Sequence, residues 1–260
     1  MSQSARKVHI LLTNDDGIGA EGLRSLKEAV SHLGRVTIVA PERQQSGSSH
    51  ALTLDNPLRI NRIDEDTIAV DGTPTDCVLL AMRGLIDGRP DLLISGINHG
   101  PNLGDDVTYS GTVAAAFEGT LLGLPSIAIS LCSWTELMFE GAKRFAAEIA
   151  RKVIENGLPP GTLLNVNVPC LPPQKIRGVR VTKLGKRIYR DAIVRKTDPR
   201  GRDYYWIGGG PPTWQEGEGT DFEAIEEGMI SVTPLHLDLT DYDAIDEIRS
   251  WNLKVGKEDE

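Results

Sequence analysis

Val8-His9-Ile10-Leu11-Leu12-Thr13-Asn14-Asp15-Asp16-Gly17 is the stretch on which the reading of this chain turns. Its apolar run has no regular polar alternation and ends in a turn, the pattern of a strand buried on both faces. Two adjacent carboxylates follow at once. Burying even one ionised carboxylate without a partner is costly, and a helix N-cap would account for one acidic side chain but not for two. A hard divalent cation is the simplest partner for Asp15 and Asp16 together. The stretch therefore predicts metal-assisted chemistry on an anionic substrate at the end of a buried strand.

Outward from it, strand-like and helix-like segments alternate. Residues 20–33 space Leu23, Leu26, Val30 and Leu33 along one helical face, with Gly34 as the stop. Residues 35–40 read as a strand ended by Pro41, and 75–86 as a helix opened by Thr73 and Pro74. Segments 91–95, 125–130 and 163–168 read as further buried strands, and 112–122 and 140–154 as helices. Such alternation predicts an α/β fold, a Rossmann-like and mostly parallel sheet with helices on both faces. After Pro169 the character changes. Short strand-like segments at 178–184, 203–208 and 229–233 are separated by stretches such as Gly208-Gly209-Gly210-Pro211-Pro212, which predicts C-terminal β-hairpin or arm extensions. The expected organisation is a single domain over 1–260, with its core at 1–169 and hairpin and oligomerisation extensions at 170–260. The tail Lys257-Glu258-Asp259-Glu260 is expected to fray.

Composition narrows the function classes. Hydrophobic residues make up 40% and charged residues 25%, the balance of a globular domain. No apolar run approaches the roughly 20 residues of a membrane span, and the first residues lack the pattern of a signal peptide, so a cytoplasmic protein is expected. Cys77, Cys132 and Cys170 are widely spaced and form no Cys-x-x-Cys pair, which argues against a disulfide framework or a zinc–thiolate site; they read as small buried apolar residues. A net charge of −9 disfavours binding to a nucleic-acid polymer. One segment runs against that average: Lys183, Lys186, Arg187, Arg190, Arg195, Lys196, Arg200 and Arg202 face only Asp191 and Asp198. A solvated hairpin or arm is the preferred reading, with a local field for a phosphorylated substrate as the other.

In a parallel sheet of this kind, ligands bind beyond the carboxyl ends of the strands. Polar, Gly-containing loops do follow the strands, at 14–19, 41–50 and 96–111. Gly17-Ile18-Gly19-Ala20-Glu21-Gly22 matches the dinucleotide string, but the two acids before it would repel a pyrophosphate, so that reading is weak. The 41–50 loop, ending Gln45-Ser46-Gly47-Ser48-Ser49-His50, offers hydroxyls suited to an anion or metal; His50 reads as an exposed loop histidine. In Gly96-Ile97-Asn98-His99-Gly100-Pro101-Asn102 the amides are able to ligate a hard metal through oxygen or donate to phosphate through nitrogen. Tyr109-Ser110-Gly111-Thr112 reads either as a phosphate cradle at a helix start or as an ordinary N-cap.

Taken together these blocks resemble the SurE family, the survival-protein-E 5′-nucleotidases. The resemblance lies in residues 12–17, 40–46, Gly72-Thr73-Pro74-Thr75-Asp76-Cys77, 95–102, 110–112 and Val232-Thr233-Pro234-Leu235. It implies a metal-dependent hydrolase of nucleoside 5′-monophosphates, with reported action on 3′-nucleotides and short polyphosphate. One divalent ion per subunit, Mg²⁺, Mn²⁺ or similar, would be held by Asp15, Asp16, Ser46 and Asn98. Asn102, Ser110, Gly111 and Thr112 would line the phosphate site, and Asp15 and Asp16 would carry the chemistry. Whether a metal-bound hydroxide or one of the two aspartates attacks phosphorus stays open. The C-terminal region would exchange a hairpin or tail between subunits to give a homodimer or homotetramer. Two rivals are a phospho-accepting receiver, which needs a third aspartate where this chain has Asn98, and a dinucleotide-dependent dehydrogenase.

Overall fold

The computed structural model describes residues 7–188, 193–207 and 213–255. Gly208–Pro212 of the sequence reading, Arg190, Asp191 and the tail at 257–260 lie outside them.

A nine-stranded sheet organises the chain. Its strands are β1 (His9–Thr13), β2 (Arg35–Pro41), β3 (Ile60–Asp64), β4 (Thr67–Val70), β5 (Leu92–His99), β6 (Ser126–Cys132), β7 (Thr162–Pro169), β8 (Val179–Val181) and β13 (Ile230–His236), in the spatial order β3-β4-β2-β1-β5-β6-β7-β13-β8. From β4 to β7 neighbouring strands are parallel. β3 is antiparallel to β4, and β13 is antiparallel to β7. All five residues of β1 are buried, as its lack of alternation predicts.

Helices cover both faces. On one side α1 (Glu21–Val30) and α4 (Glu140–Asn156) lay Leu23, Leu26, Val30, Ala142, Ala146 and Val153 against Ile10, Leu12, Ile94 and Ile127. On the other, α2 (Pro74–Leu80) and α3 (Gly111–Leu121) bring Cys77, Val78 and Ala115 onto Leu11, Val39 and Leu93. Each fully buried Val, Leu or Ile among these contributes about 1.5–3 kcal/mol. α2 begins with a capping box, in which Thr73 Oγ1 accepts from the Asp76 amide and Asp76 Oδ2 accepts from the Thr73 amide. The expected helix over 75–86 is α-helical only to Leu80; a wider turn then runs to Leu85, with Gly84 at φ +114°.

The region after Pro169 divides. β8 and β13 join the main sheet, so two of the three segments read as extensions are strands of the core layer. The hairpin expectation fits β10 (Ile193–Thr197) paired antiparallel with β11 (Asp203–Ile207), every residue of which is exposed. The short strands β9 (Arg187–Ile188) and β12 (Thr213–Trp214) pair separately. α5 (Asp221–Glu226) packs near β13, and α6 (Tyr242–Ser250) has no buried residue. In the basic segment Arg187 pairs with Asp106, Arg195 with Asp203 and Arg202 with Asp198, which favours the arm over a free positive field.

Asp221 joins this region to the core. Its buried carboxylate accepts from the Gly104 and Gly185 amides at 2.8 Å each and from the Phe222 amide at 3.0 Å. Asp221→Ala would leave those donors unpaired and should cost about 2–4 kcal/mol. Urea denaturation checks this, and an unchanged midpoint would contradict it.

Candidate active site

The strand order reverses between β1 and β5, since β1 leads to β2 on one side and meets β5 on the other. Open parallel sheets bind ligands at such a switch point. Asp15 and Asp16 follow β1 there, and Asn98 and His99 end β5 beside them.

Asp15 is 4% exposed. Its Oδ1 accepts a short hydrogen bond from the Thr112 hydroxyl. Its carbonyl accepts from the Gln45 amide at 2.7 Å, which draws the 41–50 loop over the strand end. Gly111, the first residue of α3, makes the third contact: a Cβ there would stand 2.8 Å from Ser48 Oγ, 2.9 Å from Asp15 Cβ and 3.1 Å from Asp15 Oδ2. Only a residue without a side chain lets the helix start this close to the carboxylate. Asp16 is less buried, and its Oδ2 accepts from the His99 amide at 3.0 Å. Burial raises both carboxyls above the usual carboxylate range. The Thr112 bond opposes the rise at Asp15 while the Asp16 charge adds to it, and the His99 amide opposes it at Asp16. No lysine or arginine among the described residues offsets either charge.

The donors around the pair fit a hard cation. Asn98 Nδ2 donates to the Gly100 carbonyl at 2.9 Å, which assigns the amide and leaves its oxygen for a ligand. Ser46 Oγ accepts from Gln44 Nε2 at 2.9 Å in the exposed part of the loop that Gln45 anchors. In Asp15, Asp16 and Asn98 alike, one polar atom is tied down and another oxygen is left over. Among the described residues no three His, Cys, Asp or Glu side chains group as a metal site, so a cation here would draw on two carboxylates and neutral oxygens, a set suited to Mg²⁺ or Mn²⁺.

Of the residues expected around phosphate, Gly111 and Thr112 lie against Asp15 and Ser110 directly precedes them, whereas Asn102 is held by residues of β6 and β7. Ser110 is the N-cap of α3 and accepts from the Val113 amide at 3.1 Å. The Thr112 hydroxyl is committed to Asp15, so toward an anion Thr112 brings its main-chain N–H. Asn102 gives one amide hydrogen to Ser130 Oγ at 2.7 Å, while its backbone is held by Asn165 and Asn167 at 2.9 Å. His50 is an exposed loop histidine, as expected, and its Nε2 lies 3.0 Å from Glu118 Oε2. Cys77, Cys132 and Cys170 are free thiols, with burial pushing Cys77 and Cys132 up. Sequence reasoning missed Ser48, His99, Asn165, Asn167 and Asp221. Asn165-Val166-Asn167 was a usable signal, since two amides two apart in a buried strand share a face and need partners.

The family model for survival protein SurE matches residues 10–191. The chain belongs to the SurE family. A protein named 5′-nucleotidase SurE from Methylococcus capsulatus is 54% identical over 94% of this chain and 97% of its own length. One of the same name from Geobacter sulfurreducens is 53% identical over 95% of each chain. The crystal structure of the SurE protein from Aquifex aeolicus superposes with a TM-score of 0.84 at 45% identity, over 94% of this chain and 99% of that one. Membership in this family replaces both the receiver and the dehydrogenase readings.

Both acids hold their protons more tightly folded than unfolded. In metal-free protein, their stabilising contribution is therefore full below the unfolded carboxyl pKa and is lost as pH rises through the folded values. Asp15→Asn removes the Asp15 share of that loss while keeping an acceptor for Thr112. At pH 7 in chelator it should melt a few degrees above the parent, about 2–4 °C for each kcal/mol recovered. Calorimetry showing a lower Tm would contradict this.

Proposed function

We propose that this chain is a metal-dependent 5′-nucleotidase that hydrolyses nucleoside 5′-monophosphates to nucleoside and phosphate. The observation that carries the reading is the seating of the α3 N-terminus directly on Asp15. A phosphate donor set and a carboxylate pair in need of a cation thereby share one strand end. The names of the relatives support the substrate class.

Asp15, Asp16, Ser46 and Asn98 would hold one divalent cation, Mg²⁺ or Mn²⁺. When bound, it neutralises phosphate oxygens, polarises phosphorus and lowers the pKa of a water. The chain's own residues do the positioning. Val113 N–H is spent on the Ser110 cap, and the Gly111 and Thr112 amides of the first helical turn face the anion with the positive helix end behind them. These donors are fixed before substrate arrives, so they stabilise charge developing at phosphorus without reorganising. Asn102 adds its second amide hydrogen, held in place by Asn165 and Asn167. Thr112 orients Asp15 and partly offsets the burial that raises its pKa. Because these groups grip the phosphoryl end alone, 3′-nucleotides and short polyphosphate are further substrates.

Phosphate release from AMP tests this. Mn²⁺ or Mg²⁺ should support turnover, excess chelator should abolish it, and Asp15→Asn should lower kcat by about a thousandfold or more. Undiminished activity in chelator or in that variant would overturn the reading.

The working protein is a homodimer or homotetramer in the cytoplasm, with no membrane or nucleic-acid polymer as partner. Among the described residues no helix is long and apolar enough to cross a membrane. The oligomer would rest on two elements that no layer of the described residues covers. The β10–β11 hairpin exposes Ile193, Tyr205, Trp206 and Ile207, the last at 90%, and α6 turns Ala244, Ile245 and Ile248 to an open hollow of about 460 Å³. Contiguous apolar surface of this kind marks an association site. Sedimentation velocity at micromolar concentration should return two or four chains; a monomer would contradict it.

A further inference from the structure

Trp134 sits in the turn between β6 and α4 and is 71% exposed. An exposed tryptophan alone needs no explanation; where this one lies does. A Cβ on Gly100 would meet its ring at 2.2 Å (Cη2), 2.3 Å (Cζ3) and 2.6 Å (Cζ2). Gly100, at φ +111°, thus leaves the room that the benzo end of the indole fills. Gly100 is two residues from Asn98 on one side and two from Asn102 on the other, at most about 7 Å of chain in each direction. The amide of the preceding residue, His99, bonds to Asp16. The ring therefore stands at the rim of the metal and phosphate site while keeping most of its surface in water.

The turn that presents it is built. Ser133 N donates to the Leu131 carbonyl at 2.8 Å, and Ser133 Oγ accepts from the Glu136 amide at 3.1 Å. Cys170 Sγ adds a contact to the Glu136 carbonyl at 3.1 Å. No part of the core depends on the indole, and a large apolar ring held open over a site loop is a stacking surface waiting for a flat partner.

We propose that Trp134 is the platform on which the nucleobase of the substrate stacks. The proposal rests on the nucleotidase reading and deepens it. With phosphate at Gly111 and Thr112, the base extends beyond the sugar to the rim, where Trp134 meets it. Every base has a π-face, so such a platform favours nucleotides over other phosphomonoesters while tolerating base identity, with purines ahead of pyrimidines through their larger rings.

The test compares AMP with ribose 5-phosphate, which lacks a base, at saturating Mn²⁺, in wild type, Trp134→Ala and Trp134→Phe. Trp134→Ala should lose about five- to a hundredfold in kcat/KM for AMP, chiefly through KM. It should stay within about twofold of wild type on ribose 5-phosphate, and Trp134→Phe should recover most of the loss. Equal losses on both substrates, or none on AMP, would overturn the proposal. Tryptophan fluorescence decides it independently of turnover: AMP should quench the wild type and leave Trp134→Phe unquenched, and equal quenching in both would count against it. If the wild type hydrolyses neither substrate, the nucleotidase reading fails, while quenching still reports on the stack.

Discussion

An aspartate at 4% exposure, with a second aspartate next to it, constrains everything around the end of β1. An uncompensated carboxylate cannot stay ionised in such a place. The fold answers part of the demand with donors from elsewhere in the chain: the Thr112 hydroxyl at Asp15 and the His99 amide at Asp16. Each satisfies one oxygen and leaves another. The remaining demand is for positive charge; the His99 ring answers part of it at Asp16, and no lysine or arginine among the described residues adds to it. Each acid thus keeps an oxygen free, and on the proposed reading a small hard cation beside the α3 N-terminus would satisfy both.

The same constraint explains how stiff the phosphate end is. α3 can begin on Asp15 only because Gly111 has no side chain. The 100–104 segment is held from below by Asn165 and Asn167 and from the side by Asp221. Those bonds are buried, so each is expensive to break and none is exchanged for water as substrate enters. The far rim is different. Trp134 lies on the segment without being enclosed by it. On the proposed reading, fixed geometry would fall where charge develops and adaptable contact where substrates of one class differ.

The parallel core was legible because strands buried on both faces lose alternation while covering helices keep their period; β1 and β2 follow that rule, and α1 follows it to Val30, ending before Leu33 and the expected stop at Gly34. β5 was readable only to Ser95. Its continuation through Gly96, Asn98 and His99 has turn composition, and pairing with β6, resumed at Asn98 after a register shift, overrides that local preference. The β3–β4 hairpin was missed because Ile60–Asp64 is a fully exposed edge strand with no buried face to leave a pattern. β8 and β13 look like isolated fragments until they add to the β7 edge. The blocks around Asp15, Ser46, Asn98 and Ser110 were visible as motifs. Invisible were contacts that need two distant segments: Ser48 over Gly111, Asp221 on Gly104, and the diversion of the Thr112 hydroxyl to Asp15.

A protein of net charge −9 that takes an anionic substrate raises the question of where the attraction comes from. The basic segment is a poor source, because Arg187, Arg195 and Arg202 already face Asp106, Asp203 and Asp198, and a neutralised pair projects little field. The distant acidic surface is also a weak opponent, since charges more than about 8 Å apart in physiological salt are largely screened. On the proposed reading, what would act on a phosphate at close range is local: the first-turn amides of α3, and a cation balancing Asp15 and Asp16. Two carboxylates against one divalent ion leave no net charge, so the helix end and the phosphate's own direct contact with the ion decide the sign of the interaction. Without such an ion the helix end would have to act alone beside two acids that hold their protons more tightly than usual, so on the proposed reading the metal would bear on substrate binding as well as on the chemical step.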